Sequence, residues 1–491
     1  MTHRSPCGGC RSNHGDPLHR PPPEPPRPLP CHISIPIRFV RIREVFSSSS
    51  VLSLFFFFIG LYMSSLEGNP PASGSDSSCD DEFSSASAVG TYTGPSWSDL
   101  PIDVLLGILQ YLEVPQRVVF ASVCTTWKLA AAVNGVPRSI VPWFMSWGDH
   151  MKEKKTVHGG RRRTLTCSFH HLLDINKTYD VSFPRGCFVA CCGASHGWLV
   201  LVNELCNLVL YNPFTMAMID LPPVTDFSCV EAIYGDSGIL EHCILSKKRV
   251  HETSYLGRWF YQKAVLSCSP SKHGAYVVMI IHRDRDWLSF VKAGQSKWQV
   301  ASTLPARGKD RYADCAYHGG RFYSVTLHGM VEEWDLDELN GPTRKIIVAA
   351  GHLGRTLTRH LVSTAWGDLL RVRLISAPEC PDGVRFQIQR IDYDGCKKVM
   401  YTDLMDHAIF LGLNHSSCLA TKSFTGLQPH RIYFSAPCMG QTLDWPCRIS
   451  RVLGGVGTYD LKSTRFERAS PLTDDKKGWI SPSEVWITPN L

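Results

Sequence analysis

The sequence predicts a multidomain chain in which a small all-α unit of three short helices precedes a large all-β propeller. Three observations predict this architecture. Apolar residues recur with helical spacing between residues 97 and 135. From residue 166 onwards the apolar period changes to two, or to short runs bounded by Gly, Asn, Pro or Asp. Groups of such runs then return about every 45–50 residues.

Composition excludes several classes of protein. Of the 491 residues, 44% are hydrophobic and 19% are charged, which excludes a collagen, a coiled coil and a wholly disordered chain. The net charge of +7 is spread over a long chain, so no dedicated nucleic-acid binding is expected. The 19 cysteines are scattered singly and do not form a dense disulfide framework. We therefore expect a reduced, intracellular protein in the nucleus, the cytoplasm or both.

Residues 1–95 are predicted to form a disordered leader. The leader begins rich in Pro and Arg and ends rich in Ser, Asp and Gly, a composition that buries too little apolar area to order itself. Its apolar stretch, Val51–Met63, has 13 residues, whereas a membrane helix needs roughly 20. Two interpretations stay open. Either Met63 is the true start and residues 1–62 are an over-extended gene prediction, or the apolar stretch anchors the protein to a membrane.

Residues 96–136 are predicted to form the helical unit. Its first helix carries Leu and Ile at i, i+3, i+4 and i+7 and ends before Pro115. Two further helices are predicted over Gln116–Ser122 and Cys124–Val133. Three short helices bury little surface by themselves, so the excess of apolar residues predicts a docking surface that partner helices complete.

The helical unit resembles an F-box. The shared pattern is a Leu-Pro pair, a helix with spaced Leu and Ile, and Val-Cys-x-x-Trp-Lys about ten residues later. It is carried by Leu100-Pro101, Leu105, Ile108, Leu112, Val123-Cys124 and Trp127. Trp97, just before the motif, also fits the plant variants of the family.

The F-box resemblance implies a partner. Members of that family bind a Skp-type adaptor, which connects them to a cullin and a RING protein. Carried over position by position, the residues implied to form the adaptor-facing surface or its support are Leu100, Pro101, Ile108, Leu109, Leu112, Val123, Cys124 and Trp127.

Residues 137–165 are predicted to be a linker with two basic clusters. The clusters are Lys152-Glu-Lys-Lys155 and Arg161-Arg-Arg163. Such clusters occur in nuclear localisation signals and phosphate-binding patches, but a solvated loop is the favoured interpretation.

Residues 166–491 are predicted to form the propeller. Strand centres near residues 198, 277, 322, 370 and 432 mark the repeating units. The long gap between the first two centres predicts a degenerate blade or an inserted loop. Radial repetition lets each small sheet bury both faces and leaves few free edges.

The β region resembles the plant KIB-type β-propeller domain, catalogued as domain of unknown function 295. The resemblance rests on the order of several short motifs after an F-box. These motifs are Ser195-His-Gly-Trp-Leu, Tyr211-Asn-Pro-Phe-Thr, His318-Gly-Gly-Arg-Phe-Tyr-Ser-Val and Val331-Glu-Glu-Trp-Asp-Leu. The resemblance implies a plant F-box protein with a C-terminal propeller.

No catalytic residue, metal site or cofactor is predicted. His170 and His171 are adjacent, so on a strand they point to opposite faces and cannot share one metal ion. The same geometry separates Cys191 from Cys192. The sequence has no Gly-rich phosphate loop, HExxH or GxSxG motif.

The sequence therefore predicts the substrate-recognition subunit of a Skp–cullin–F-box ubiquitin ligase, a non-catalytic role. The helical unit would bind the adaptor, and the loops of the propeller would bind a target protein. The candidate target-binding residues are Arg258, Trp259, Arg307 and Arg311. A non-ligase F-box scaffold and a membrane-anchored protein are the alternatives.

Overall fold

The computed structural model describes most of the chain between residues 97 and 487. The described residues are 97–112, 117, 120–121, 123–133, 143–146, 166–170, 172, 178–182, 188–213, 216–245, 249–270, 275–305, 307–338, 341–392, 395–399, 401–404, 406–423, 426–435, 456–468 and 484–487. The predicted leader, with its apolar stretch, and both basic clusters of the predicted linker lie outside these residues.

Two helices frame the N-terminal unit: α1, Ile102–Tyr111, and α2, Thr125–Val133. A 3-10 turn at Trp97–Asp99 precedes α1. Pro101 enters α1 with extended backbone, which suits a residue that has no N–H to donate. Gly107 lies inside α1 with open space around it.

The helical unit has its own small core. Leu105, Leu109 and Trp127 are fully buried, and the rings of Phe120 and Trp127 lie 4.4 Å apart. Phe120 and Ala121, described residues of the predicted second helix, have helical backbone and pack into this core. The described helices are short, and none is long and apolar enough to cross a membrane.

The β region consists of antiparallel sheets of three or four strands and one longer sheet. The first sheet contains β1 (Trp143–Ser146), β2 (Thr166–His170), β3 (Thr178–Ser182) and the C-terminal β28 (Glu484–Ile487). The second contains β4 (Phe188–Ser195), β5 (Trp198–Asn203), β6 (Leu208–Tyr211) and β7 (Met218–Asp220). The third contains β8 (Val230–Tyr234), β9 (Leu240–Leu245) and β10 (Arg249–Glu252), followed by the one-turn helix α3 (Thr253–Leu256).

The remaining strands complete the β region. The fourth sheet contains β11 (Tyr261–Leu266), β12 (Val277–His282), β13 (Trp287–Lys292) and β14 (Gln299–Thr303). The fifth contains β15 (Tyr312–His318), β16 (Arg321–Thr326), β17 (Val331–Asp335) and β18 (Thr343–Val348). The nine-stranded sheet joins β19 (Thr356–Ser363), β20 (Leu369–Ser376), β21 (Val384–Asp392) and β22 (Gly395–Val399) to β23 (His407–Leu411), β24 (Ser417–Ala420), β25 (Arg431–Ser435), β26 (Val456–Asp460) and β27 (Arg465–Arg468).

The sheets are arranged as a closed ring, which confirms the predicted propeller. Their inner strands contact one another in the order β28, β4, β11, β15, β19, the β23–β25 group and β28 again. Among the described residues this ring has six blades, because the nine-stranded sheet supplies two of them. Aliphatic and aromatic side chains of neighbouring blades interdigitate between the sheets, as in other sheet-on-sheet cores.

The two ends of the β region meet in one blade. β28 pairs with β1 in antiparallel register, with Phe144 opposite Trp486. Trp486 is fully buried, and its ring lies 5.5 Å from the ring of Phe144 and 5.6 Å from that of Phe410. β1 falls inside residues 137–165, the segment predicted as a linker. Four residues are too few to show the alternation that marks a strand, so this part of the sheet escaped the sequence analysis.

The β8–β10 sheet explains the long gap between the first two predicted strand centres. It stands between the second and fourth sheets in sequence and does not supply an inner strand to the ring. Its buried face, including Val230, Cys243 and Leu245, packs with Phe260 into the core between the neighbouring blades. The gap therefore holds an inserted sheet that rests on the propeller.

Candidate functional site

The predicted adaptor-binding residues divide into a buried and a half-buried set. Five of them pack into the core of the helical unit: Leu100, Ile108, Leu109, Leu112 and Trp127. The other three, Pro101, Val123 and Cys124, are half-buried. Of the two implied roles, the buried five have the geometry of support for the surface. Direct contact of any of the eight with an adaptor stays a prediction.

The helical unit also exposes apolar side chains that the sequence analysis did not select. Leu129 is 59% exposed and Val133 is 62% exposed. They are four residues apart on α2, so they form one stripe, on the side away from the buried Trp127, Ala130 and Ala131. A large apolar stripe facing water on a two-turn helix is typical of a surface that a partner covers. The i, i+4 spacing of Leu129 and Val133 could have predicted this stripe.

The centre of the propeller contains a buried ion pair. The Nζ atom of Lys263 on β11 lies 2.9 Å from Oδ1 of Asp314 on β15, and both side chains have no solvent exposure. Lys263 also donates to the carbonyl oxygens of Gly412, at 3.0 Å, and Asn414, at 2.9 Å. The Oδ2 atom of Asp314 accepts the backbone N–H of Leu361 on β19 at 2.9 Å. The pair therefore connects four blades through hydrogen bonds to charged groups, which are the strong ones.

Two histidines beside this ion pair are buried in the neutral form. Burial lowers the pKa of His415 to about 3, and the nearby cations His196 and Lys263 lower it further. Burial likewise lowers the pKa of His360 to about 4, against a smaller opposing effect of Asp314. The Nε2 atom of His415 accepts the backbone N–H of Tyr317 at 3.2 Å, a bond that protonation would remove. These groups fix the ring centre, and their geometry suits a structural role.

The four predicted target-binding residues lie on one end of the propeller. We call this end the loop face, and it consists of residues 253–260, 283–286, 304–311, 327–330 and 349–355. The backbone N–H of Arg283 donates to the carbonyl of Phe260, next to Trp259, at 2.7 Å. The carbonyl of Arg285 in turn accepts the N–H of Tyr312, next to Arg311, at 2.8 Å. The structure thus places Arg258 and Trp259 on the same face as Arg307 and Arg311.

The rim of the loop face beside α3 is aromatic. The ring of His251 lies 5.3 Å from that of Trp259 and 6.5 Å from that of Tyr255. Tyr255 is 45% exposed, whereas Trp259 is half-buried. Desolvation and the neighbouring Arg249 lower the pKa of His251, while Asp284 opposes them. Trp259 is therefore partly a packing residue, and Tyr255 offers the more accessible ring.

Among the described residues, no group of three His, Cys, Asp or Glu side chains is placed to hold a metal ion. The cysteines of that part of the chain are free thiols. Burial raises the pKa of Cys191 to about 12 and that of Cys229 to about 11, so neither is a reactive thiolate near neutral pH.

Comparison with known proteins agrees with the two-part architecture. The F-box domain model matches residues 97–133, and an F-box domain in general implies binding to a Skp-type adaptor. The KIB1-4 beta-propeller model matches residues 168–460. The chain is thus a plant F-box protein with a C-terminal propeller. It belongs to the KIB1-4 beta-propeller family, whose matched region covers more than half of its length.

The relatives are F-box proteins of Arabidopsis thaliana. F-box protein At4g17565 is 22% identical over 353 residues, which cover 70% of this chain and 84% of the relative. F-box protein At4g22170 is 28% identical over 289 residues, 56% of this chain and 70% of the relative. F-box/kelch-repeat protein At1g57790 is 30% identical over 131 residues, 26% of this chain and 32% of the relative.

Proposed function

We propose that this protein is the substrate-recognition subunit of a Skp–cullin–F-box ubiquitin ligase. The observation that carries the proposal is the exposed apolar stripe Leu129–Val133, on an F-box joined to a closed propeller whose loop face is free of any ordered cover among the described residues. The adaptor would bind the helical unit, and a target protein would bind the loop face. F-box proteins are typically non-catalytic adaptor subunits, which fits a chain in which no catalytic motif is found.

The proposed mechanism is tethering. Holding the target and the ubiquitin-loaded enzyme on one scaffold converts a bimolecular encounter into one at high effective concentration. No residue of this chain has to make or break a bond. The buried Lys263–Asp314 pair supports this role by keeping four blades in fixed relative positions, so that the loops meet the target as one surface. The free thiols fit a reducing compartment, so the proposed location is the nucleus, the cytoplasm or both.

Co-purification of the adaptor with the full chain tests the proposal. We expect the wild-type protein to bring down a Skp-type adaptor together with a cullin. Leu129→Glu with Val133→Glu should weaken adaptor binding more than about tenfold, which corresponds to about 1.4 kcal/mol. Because both side chains are exposed, the circular dichroism spectrum should stay that of the wild type.

Leu205→Glu is the matched control, because Leu205 is an exposed leucine of the propeller, outside the F-box. It should leave adaptor binding unchanged. Undiminished adaptor binding by the double variant would refute the proposed surface. Recovery of adaptor without any cullin would refute the ligase assignment and favour a scaffold role.

A further inference from the structure

The loop face carries an excess of positive charge. In its segments 304–311, 327–330 and 349–355, the basic residues are Arg307, Lys309, Arg311 and Arg355, and the single acidic residue is Asp310. We call these four basic residues the basic loop cluster. Arg307, Lys309 and Arg355 are exposed, and Arg311 is half-buried. This part of the surface is therefore cationic and open to solvent.

The acidic residue of these segments is committed to the backbone. The Oδ1 atom of Asp310 accepts the N–H of Arg311 and the N–H of His328, both at 2.9 Å. The guanidinium of Arg311 donates to the carbonyl oxygens of Gly308, at 2.8 Å, and Asp310, at 2.6 Å. Asp310 thus fixes the 304–311 loop against the 327–330 turn, and the carbonyls hold Arg311 in place without cancelling its charge.

Two buried arginines lie directly beneath the 327–330 turn. Arg359 donates to the carbonyl of Leu327 at 2.7 Å, and Arg371 donates to that of Gly329 at 2.7 Å. Gly329 has a φ of +88°, and a Cβ there would lie 3.1 Å from both Cζ of Arg359 and Nη1 of Arg371. The two guanidinium groups therefore lie side by side. Cations this close repel each other in the poorly screened protein interior, and they raise the potential of the surface above them.

Arginines elsewhere on the propeller surface are paired with carboxylates. Arg321 pairs with Asp335 across a hairpin, and Arg344 pairs with Glu332 at 2.8 Å. In contrast, Arg371 bonds to two uncharged acceptors, the carbonyl of Gly329 and Oε1 of Gln389. The positive charge of the loop face is thus maintained where other surface arginines are neutralised. An uncompensated cationic patch on a loop face favours an anionic partner.

We propose that the basic loop cluster binds an acidic, extended segment of the target protein, whose anionic groups are carboxylates or phosphate esters. This inference deepens the proposed function, since it names the chemistry that the loop face recognises. Arg307, Lys309 and Arg355 contact the anionic side chains, and Arg311 contacts them from the loop base. Arg359 and Arg371 act through the potential they create, because they are 3% and 7% exposed and lie behind the turn.

Peptide binding to the purified full chain tests the inference. The probes are three fluorescein-labelled peptides of one length: one rich in Glu, one with phosphoserine at the same positions and one with Gln there. Binding is followed by fluorescence anisotropy at about 50 mM and about 300 mM NaCl, since screening weakens contacts between exposed charges. We expect the two anionic peptides to bind in a salt-sensitive manner and the Gln peptide not to bind. The tighter of the two anionic peptides identifies the recognised group.

The chain offers a matched pair of lysines for the control. Lys309 and Lys297 are both exposed and flank the same strand, β14, at its opposite ends. Arg307→Glu with Lys309→Glu should weaken anionic-peptide binding by about tenfold, and Lys309→Glu alone by about threefold. Lys297→Glu changes the net charge as much as Lys309→Glu does and should leave binding within about twofold.

Equal binding of the Gln and Glu peptides would overturn the inference, and so would equal losses in Lys297→Glu and Lys309→Glu. Adaptor co-purification is measured on the same variants. Loss of adaptor binding in the wild type with retained anionic-peptide binding would refute the ligase proposal alone. Retained adaptor binding without anionic-peptide binding would refute this inference alone.

Discussion

At the scale of single residues, stability and recognition use the same type of side chain in opposite ways. Lys263 is fully buried and its charge is matched by Asp314 at 2.9 Å. Lys309 is exposed in a segment where positive charge is in excess. Desolvation explains the difference, because a buried charge requires a partner, whereas an exposed charge is stabilised by water and stays available to a ligand.

Removing one partner of the central ion pair should destabilise the propeller. Lys263→Met leaves the carboxylate of Asp314 buried without its cation and is expected to lower the free energy of unfolding by about 3–5 kcal/mol. Urea denaturation followed by tryptophan fluorescence measures the change. Lys263→Met with Asp314→Asn should be less destabilised than Lys263→Met alone, because the uncompensated charge is gone and an acceptor for Leu361 remains.

Asp335→Asn is the control for that experiment. Asp335 pairs with Arg321 on the surface, where solvent screens the interaction, so the unfolding midpoint should hardly change. If Lys263→Met were as mild as Asp335→Asn, the central pair would not hold the blades together.

At the scale of elements, sequence patterns predicted the kinds of structure well and the contacts between them poorly. Helical periodicity indicated α1 and α2, and alternating runs indicated β5, β12 and β16, because these elements bury one face or both. The pairing of β1 with β28 joins residues far apart in sequence, and no local pattern encodes it. For the same reason the partner of Lys263 could not be predicted, since β11 and β15 meet only when the ring forms.

The candidate binding surfaces show the same division. Arg258, Trp259, Arg307 and Arg311 were selected as loop residues, and the structure places them on one face through contacts between loops. For the F-box, a sequence motif selects residues that family members share, and five of these eight are core residues here. The exposed Leu129 and Val133 lie outside the motif, so only their spacing on α2 and their measured exposure identify them.

Packing between inner strands depends on one glycine. Gly193 on β4 faces the backbone of β11, and a Cβ at this position would collide with the carbonyl oxygen of Ala264. We expect Gly193→Ala to lower the free energy of unfolding by about 2 kcal/mol, because the two strands must move apart. Thermal denaturation measures the change.

Gly351→Ala provides the comparison, since the nearest atom to a Cβ there is the carbonyl oxygen of His328 at 3.7 Å. It should have almost no effect on the melting temperature. Equal melting temperatures for the two variants would show that β4 and β11 tolerate a wider separation than the structure has.

At the scale of the whole molecule, the ring depends on the blade that joins its two ends. Trp486 on β28 is fully buried and packs edge-on against Phe144 and Phe410, which belong to two different blades. A closed ring leaves no unpaired inner strand, so its stability is shared among all blades. Losing the closing strand should therefore weaken the whole propeller.

Trp486→Ala is expected to cost about 3–5 kcal/mol, the usual range for deleting a large buried aromatic side chain. Guanidinium denaturation of the full chain measures the loss. Trp366→Ala is the matched control, since Trp366 is 37% exposed and should contribute little. A chain that ends at residue 483 should show lower cooperativity than Trp486→Ala, and wild-type behaviour of that chain would contradict closure by β28.

The antiparallel pairing of β28 with β1 also has a consequence during protein synthesis. The F-box leaves the ribosome long before Glu484–Ile487, so a nascent chain holds a complete adaptor module while its ring is still open. A premature stop codon between these two regions would yield a product that occupies the adaptor without presenting an assembled loop face. Such an allele is expected to act as a dominant inhibitor of the intact protein, and a simple loss of expression would not mimic its effect.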